Sequence, residues 1–308
     1  MKLATFSAGG DTRIGVVVDA EIVDLAAAVP ELPREMCALL AAGGGALEAA
    51  RRAAESDRHR LPLSDVTLEA PVPRPPEFLA IGLNYADHIA ESGRPQPGFP
   101  VFFNKQSSCV TGPRSPIQRP RVSEALDYEG ELGFVIGRRC RHVPRERAHE
   151  VIAGYLVVND VSVRDWQWKA PTMTLGKSFD THGPIGPWIV TPDELGDPHA
   201  LELRTFVNGE LRQHSNTKHL VYDCFTQVET LSTVFTLLPG TVVSTGTPGG
   251  VGAAMKPPRF LVAGDVVRVA IDGIGEIENP VVDEPETASD RSARHGAGAA
   301  RAAPARER

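Results

Sequence analysis

The sequence predicts a β-rich α+β fold, a sandwich or roll of short strands rather than a doubly wound parallel sheet. Three observations carry this. Short runs of β-branched and aromatic residues recur, with Gly, Pro, Asn and Asp between them. Helix-like stretches are few and do not alternate with strands as βαβ units would require. Asn208-Gly209, between the strand-like segments 204–207 and 210–212, is the pair that a two-residue type I′ hairpin demands.

In chain order, residues 1–70 read as a small N-terminal α+β domain. Segments 1–6 and 13–18 form a strand pair that turns at Gly9-Gly10-Asp11, and 21–25 adds a third strand. An Ala-rich helical stretch follows over 35–60, interrupted at Gly43-Gly44-Gly45. The Pro-rich run 71–76 is an extended linker and marks the boundary to a second domain over 71–283. There 78–82 is an apolar strand and 84–91 is helix-like, while 92–98 is a surface loop rich in Gly and Pro. Further strands are expected at 101–104, 132–136, 152–159, 189–191, 201–207, 242–244 and 266–271. Helices are expected at 145–150 and 223–233, with loops around Pro171 and over 184–187. Residues 284–308, rich in Ala, Arg, Gly and Pro, predict a disordered tail.

Composition excludes several classes. A net charge of -7 gives no basic footprint for nucleic acid. No apolar run reaches the length of a membrane span, and the first residues lack a signal-peptide pattern. Cys37, Cys109, Cys140 and Cys224 have neither zinc-site nor redox-motif spacing, and read as reduced thiols of a cytoplasmic protein.

Chemistry concentrates in a few stretches. In Asp127-Tyr128-Glu129-Gly130-Glu131, a strand would project Glu129 and Glu131 from one face, with Tyr128 turned away and Gly130 leaving room. Two such carboxylates are either a solvated strand end or the oxygen ligands of a hard divalent ion. Asp160 ends the apolar strand 151–158, where it either caps a turn or completes a three-carboxylate site. Lys177 is either a snorkelling surface lysine or a cation that neutralises an enolate near the metal. His88 and Glu91, three apart on a helix-like segment, are either a surface pair or a dyad that deprotonates water. Thr245-Gly246-Thr247-Pro248-Gly249-Gly250 lacks a P-loop ending; it is either a structural turn or an anion cradle.

Together with Gly82-Leu83-Asn84-Tyr85-Ala86-Asp87-His88, Asn159-Asp160-Val161-Ser162-Val163-Arg164-Asp165 and Leu175-Gly176-Lys177-Ser178-Phe179, these stretches resemble the fumarylacetoacetate hydrolase superfamily over about residues 70–283. The resemblance is to its bacterial acylpyruvase and diene-dioate isomerase branch. It implies a mixed β-sandwich roll, usually a homodimer, with Mg²⁺ or Mn²⁺ held by Glu129, Glu131 and Asp160. It also implies catalytic roles for His88, Glu91 and Lys177, and substrate contacts from Arg164, Gln167 and Thr247. Departures from the family pattern, at Cys109 and within 166–168 and 171–173, are expected to face substrate.

The implied reaction is metal-dependent hydrolysis of a C–C bond in a β-diketo acid of acylpyruvate or fumarylpyruvate type, through an enolate. Decarboxylation or isomerisation of a 2-oxo or 2-hydroxy-diene dicarboxylate, or ureidoglycolate cleavage, are alternatives on the same scaffold; a metal-stabilised binding protein is another. The expected partner is a small 2-oxo or diketo acid. The segment Ser92 to Gly98 is expected to act as a lid, disordered without ligand.

Overall fold

The computed structural model describes residues 1–286, so the tail expected over 284–308 lies outside the described residues from 287 onward. Glu284 itself is anchored, its N–H donating to the Arg119 carbonyl at 3.0 Å.

Gly130–Ile136 is the central strand, buried along its whole length. It pairs antiparallel with Ile152–Asn159 on one side and with Val242–Ser244 on the other. Its side chains alternate. Leu132, Phe134 and Ile136 enter a core shared with Leu203, Val267, Val269 and Ile277 of a second sheet. Val135 enters a different core with Leu3, Ile14, Leu39 and Ile189. Burial on both faces is the reason the stretch 132–136 is continuously apolar rather than alternating.

The larger sheet has twelve strands. It passes from Arg60–Pro62 through the N-terminal strands to Gly183–Val190, Ile152–Asn159, Gly130–Ile136, Val242–Ser244, Phe78–Gly82 and Val101–Lys105. The second sheet has five strands and includes the hairpin Glu202–Val207/Glu210–Asn216. Asn208 and Gly209 close that hairpin with φ of 52° and 78°, as the type I′ turn requires. Both sheets are mixed, because Val242–Ser244 runs parallel to Phe78–Gly82 and Gly275–Asp283 parallel to Ile117–Arg119. The two stack as a sandwich, as the β-rich reading expected.

In the N-terminal part, Lys2–Ala8 bonds to Asp11–Val18 and also to Gly183–Val190, so one ladder joins residues 1–70 to the rest. The helical stretch expected over 35–60 is two helices, Met36–Ala41 and Gly44–Ala54. Only Gly43, at φ 79°, breaks it. Gly44 and Gly45 begin the second helix, and Arg60 already belongs to a strand. The loop expected over 184–187 is also corrected: Gly183–Val190 is one strand. Pro187 is tolerated because the register with Ile152–Asn159 slips just after Gly186, where a bulge needs no donor from it.

The register assembles the site. Gly130 lies opposite Asn159, and Gly133 opposite Ser244. Glu129, Glu131, Asp160 and the turn after Ser244 therefore converge at one end of three adjacent strands.

Candidate metal centre and active site

Oxygen donors of Glu129, Glu131 and Asp160 lie within 4.8 Å of one another, and all three residues are buried. Gly130 lies between the two glutamates for a different reason from the one expected. A Cβ there would fall 2.1 Å from Thr205 Oγ1, on the face toward the second sheet. The glycine makes way for inter-sheet packing, and the carboxylates occupy the opposite face.

Three cations answer these acids. Lys177 Nζ is 2.7 Å from both Glu129 Oε2 and Asp160 Oδ2. Lys105 Nζ is 2.6 Å from Asp160 Oδ1 and also donates to the Lys177 carbonyl. Arg164 donates from Nε to Asp127 at 2.8 Å and from Nη1 to Glu129 at 2.5 Å. Burial works to raise the Glu129 carboxyl, but Lys177 and Arg164 outweigh it and hold Glu129 well below the usual range. For Glu131, burial and then the charges of Asp160 and Glu129 push its carboxyl well above that range. Glu131 has hydrogen-bond donors, Ser244 Oγ and the Gly246 N–H, but no ion pair among the described residues.

The four carboxylates Asp127, Glu129, Glu131 and Asp160 thus exceed their cations by one charge, and the excess falls on Glu131. A divalent cation would more than offset that excess, leaving one positive charge for an anionic ligand, and an all-carboxylate donor set suits a hard ion such as Mg²⁺ or Mn²⁺. The residues fit the ion. Lys177, which bridges two of the three acids, would have to share them with it.

His88 and Glu91 lie on the helix Ala86–Ser92, with Nδ1 3.3 Å from Glu91 Oε2. Glu91 Oε1 accepts the Gly250 N–H at 2.9 Å, which docks the helix on the Gly-rich turn. Burial of Glu91 is outweighed by these two bonds, which lower its carboxyl and keep it an anion beside the imidazole. His88, Glu91, Glu129, Arg164, Gln167, Lys177 and Thr247 all line one cavity of about 590 Å³. Glu131 and Asp160 are buried and do not line it.

Gln167 accepts from Arg164 Nη1 at 3.0 Å on the short helix Arg164–Gln167. A Cβ on Gly176 would meet the Gln167 nitrogen at 2.2 Å, so this glycine lets the Lys177 helix close on that one. Thr247 lines the cavity with its hydroxyl already engaged. It donates to the Gly130 carbonyl at 3.0 Å and accepts from Gln213 at 2.8 Å, so a lone pair is what it has left for substrate.

Of the positions expected to face substrate, Gln167, Trp168, Pro171 and Met173 line the cavity. Thr172 does not line it, nor does Trp166, which packs against the main core and Phe179. Cys109 does not: it is fully buried in the second core, where Gly183 and Phe78 crowd its surroundings, and burial raises its thiol to about 11. Sequence reasoning missed Lys105 and gave Asp127 no role. Lys105 closes the strand Val101–Lys105, and a lysine ending an apolar strand was the available signal. Asp127 accepts from Gly252 and Ala253 N–H groups as well as Arg164, tying the end of the Gly-rich turn to the site.

A buried oxygen-donor centre, roofed by a His–Glu pair at one end of a β-sandwich, defines a class of divalent-metal site. Within that class the chain belongs to the fumarylacetoacetate hydrolase family, whose model for the fumarylacetoacetate (FAA) hydrolase C-terminal part matches residues 77–282. It is 44% identical over 288 residues to the mitochondrial oxaloacetate tautomerase fahd2 of Xenopus laevis, covering 92% of this chain and 90% of that protein. The maleylpyruvate hydrolase of Sphingobium sp. SYK-6, solved with manganese(II) and pyruvate, superposes with a TM-score of 0.78 at 36% identity, covering 92% of this chain and 100% of that one. The 5-carboxymethyl-2-hydroxymuconate delta-isomerase of Mycobacterium smegmatis does so at 0.74 and 36%, with the same coverage. These relatives are enzymes that include a hydrolase, an isomerase and a tautomerase. Among the described residues no helix is long and apolar enough to cross a membrane.

Proposed function

We propose that the chain is a divalent-metal-dependent hydrolase that cleaves a C–C bond in a β-diketo acid of the acylpyruvate or fumarylpyruvate type. One observation carries this reading: the triad's Glu129, the buried Lys177 and the His88–Glu91 pair line the same cavity.

A divalent ion, which Glu129, Glu131 and Asp160 would hold, would supply Lewis acidity to the keto-acid end of the substrate. With Nδ1–H donated to Glu91, the His88 lone pair lies on Nε2 and takes a proton from water as the water oxygen bonds to the distal carbonyl carbon. The bond from that carbon to the adjacent CH₂ then breaks, and its electron pair passes into the enolate of pyruvate. The proton held on His88 returns to the CH₂ carbon. The products are pyruvate and a carboxylic acid. Lys177 offsets negative charge on the enolate oxygen, while Arg164 and Gln167 fix the orientation of the keto acid.

A second reading is favoured by the 44% identity to a protein named an oxaloacetate tautomerase. In it His88 moves a proton between carbon and oxygen of a 2-oxo dicarboxylate, with no water added. Turnover of acetylpyruvate, fumarylpyruvate and oxaloacetate, with Mg²⁺ and with EDTA, separates the two. Metal-dependent release of pyruvate and an acid from an acylpyruvate supports the hydrolase. A product of unchanged mass moves the assignment to tautomerase or isomerase, and carbon dioxide alone to decarboxylase.

A further inference from the structure

The cavity has two unlike ends. At its closed end Glu129 and Lys177 are buried; at its open end Arg94 is exposed and Trp168 is 55% exposed. Between them lie apolar walls from Ile81, Val101, Phe103, Pro171 and Met173. Four basic side chains line this space: His88, Arg94, Arg164 and Lys177. Arg164 is committed to Asp127 and Glu129, Lys177 to Glu129 and Asp160, and His88 to Glu91.

Arg94 has no acid partner among the described residues. Its guanidinium carbon lies 4.3 Å from the centre of the Trp168 ring instead. Stacking leaves the in-plane N–H donors of a guanidinium open to a carboxylate, and a planar fork suits that group. The loop that carries Arg94 is tethered on both sides. The Arg94 N–H donates to Ser92 Oγ at 3.2 Å, and the Tyr222 hydroxyl donates to the Pro97 carbonyl at 3.0 Å.

We propose that Arg94, held over Trp168, is a specificity-determining residue that reads a second carboxylate at the substrate end remote from the metal. An anion against these apolar walls would be unfavourable without a counter-charge, and Arg94 is the lining cation free to supply one. The chain therefore prefers 2-oxo dianions to monoanions of equal length. This deepens the hydrolase reading and rests on it only for which end of the substrate meets the triad.

The test is calorimetric binding to the full chain with Mg²⁺. The ligands are matched pairs: 2-oxopentanoate with 2-oxopentanedioate, 2-oxohexanoate with 2-oxohexanedioate, and 2-oxoheptanoate with 2-oxoheptanedioate. None has the β-carbonyl that hydrolysis needs. At one length or more, the dianion is expected to bind about tenfold tighter, the lower end for a charge-assisted bond because Arg94 is exposed. The preference should shrink to within about threefold in Arg94→Ala and recover in part in Arg94→Lys, which keeps the charge but loses the stack. It should also weaken with salt.

Equal binding within every pair, or a preference that survives Arg94→Ala, overturns the proposal. Binding of neither member of any pair overturns it too, together with the triad as the keto-acid site. A retained preference in a chain that cleaves no acylpyruvate overturns the hydrolase reading alone.

Discussion

Lys105 Nζ lies 2.6 Å from Asp160 Oδ1, and both side chains are buried. With Lys177 2.7 Å from Oδ2, each oxygen of Asp160 is held by a different lysine. Asp160 is thereby fixed in orientation before any metal arrives. Lys105→Met breaks a buried pair and leaves a carboxylate short of a partner, which should cost about 3–5 kcal/mol. Mg²⁺ should restore more stability to this variant than to the wild type. Urea unfolding with and without Mg²⁺ checks this; a metal-free variant as stable as the parent would refute it.

Glu131 links metal binding to protons. Its unfolded carboxyl titrates near 4.5 and its folded one well above that. Without metal, the folded state therefore binds the extra proton, and Glu131 lowers stability as pH rises above 4.5 toward the folded value. A cation takes the place of that proton. Mg²⁺ binding at mildly acidic pH should release protons, measurable by calorimetry in buffers of different ionisation enthalpy. Apparent affinity should rise with pH and then level off. Glu131→Gln should abolish the release and weaken affinity by more than about 100-fold, since loss of an outer partner alone can cost that much.

The His88–Glu91 pair separates chemistry from metal binding. His88→Ala should lower kcat for acylpyruvate cleavage by about 10²- to 10⁴-fold, the range for a general base. Glu91→Gln should cost less, because it removes the orienting charge and leaves the imidazole. Mg²⁺ affinity, followed by calorimetry, should change little in either variant. Parallel loss of affinity and turnover would mean the pair builds the metal site instead.

Gly130→Ala puts a methyl group against Thr205 Oγ1, where an ideal Cβ would lie 2.1 Å away. Overpacking of this kind costs about 1–3 kcal/mol. Thr205→Ala should recover part of the loss, giving a non-additive cycle in denaturant unfolding. Additive effects would show that the strand shifts rather than clashes.

The segment Ser92 to Gly98 should gain hydrogen-exchange protection when Mg²⁺ and oxalate are added. Among the described residues, its side-chain ties beyond Ser92 are the Tyr222 bond to Pro97 and the solvent-facing stack of Arg94 on Trp168, so local opening should be easy without ligand. Full protection in the metal-free chain would exclude a ligand-ordered lid.

Much of the site was legible because the family-like motifs are local. Glu131, on the strand, and Glu129, one residue before its start, lie at spacing two, and His88 and Glu91 share a helix face at spacing three; local backbone geometry brings such pairs together. The β-rich architecture was legible for the same reason, through strand runs and the Asn208-Gly209 turn. Pro184 and Pro187 misled because proline ordinarily ends a strand, and only the pairing with Ile152–Asn159 creates the bulge that accepts Pro187. Cys109 misled because sequence order does not say which face of a loop meets the cavity.

The sequence by itself determined the identities and local spacing of the acids, the histidine pair and the hairpin, since these depend on backbone geometry over a few residues. Only the tertiary structure decided that Lys105 grips Asp160 from 55 residues away and that Glu131 is the acid left without a cation. It also decided that Gly130 serves the second sheet and that Arg94 rests on Trp168. Those outcomes follow from strand register and sheet stacking, and contacts between distant segments leave no periodic trace in the chain.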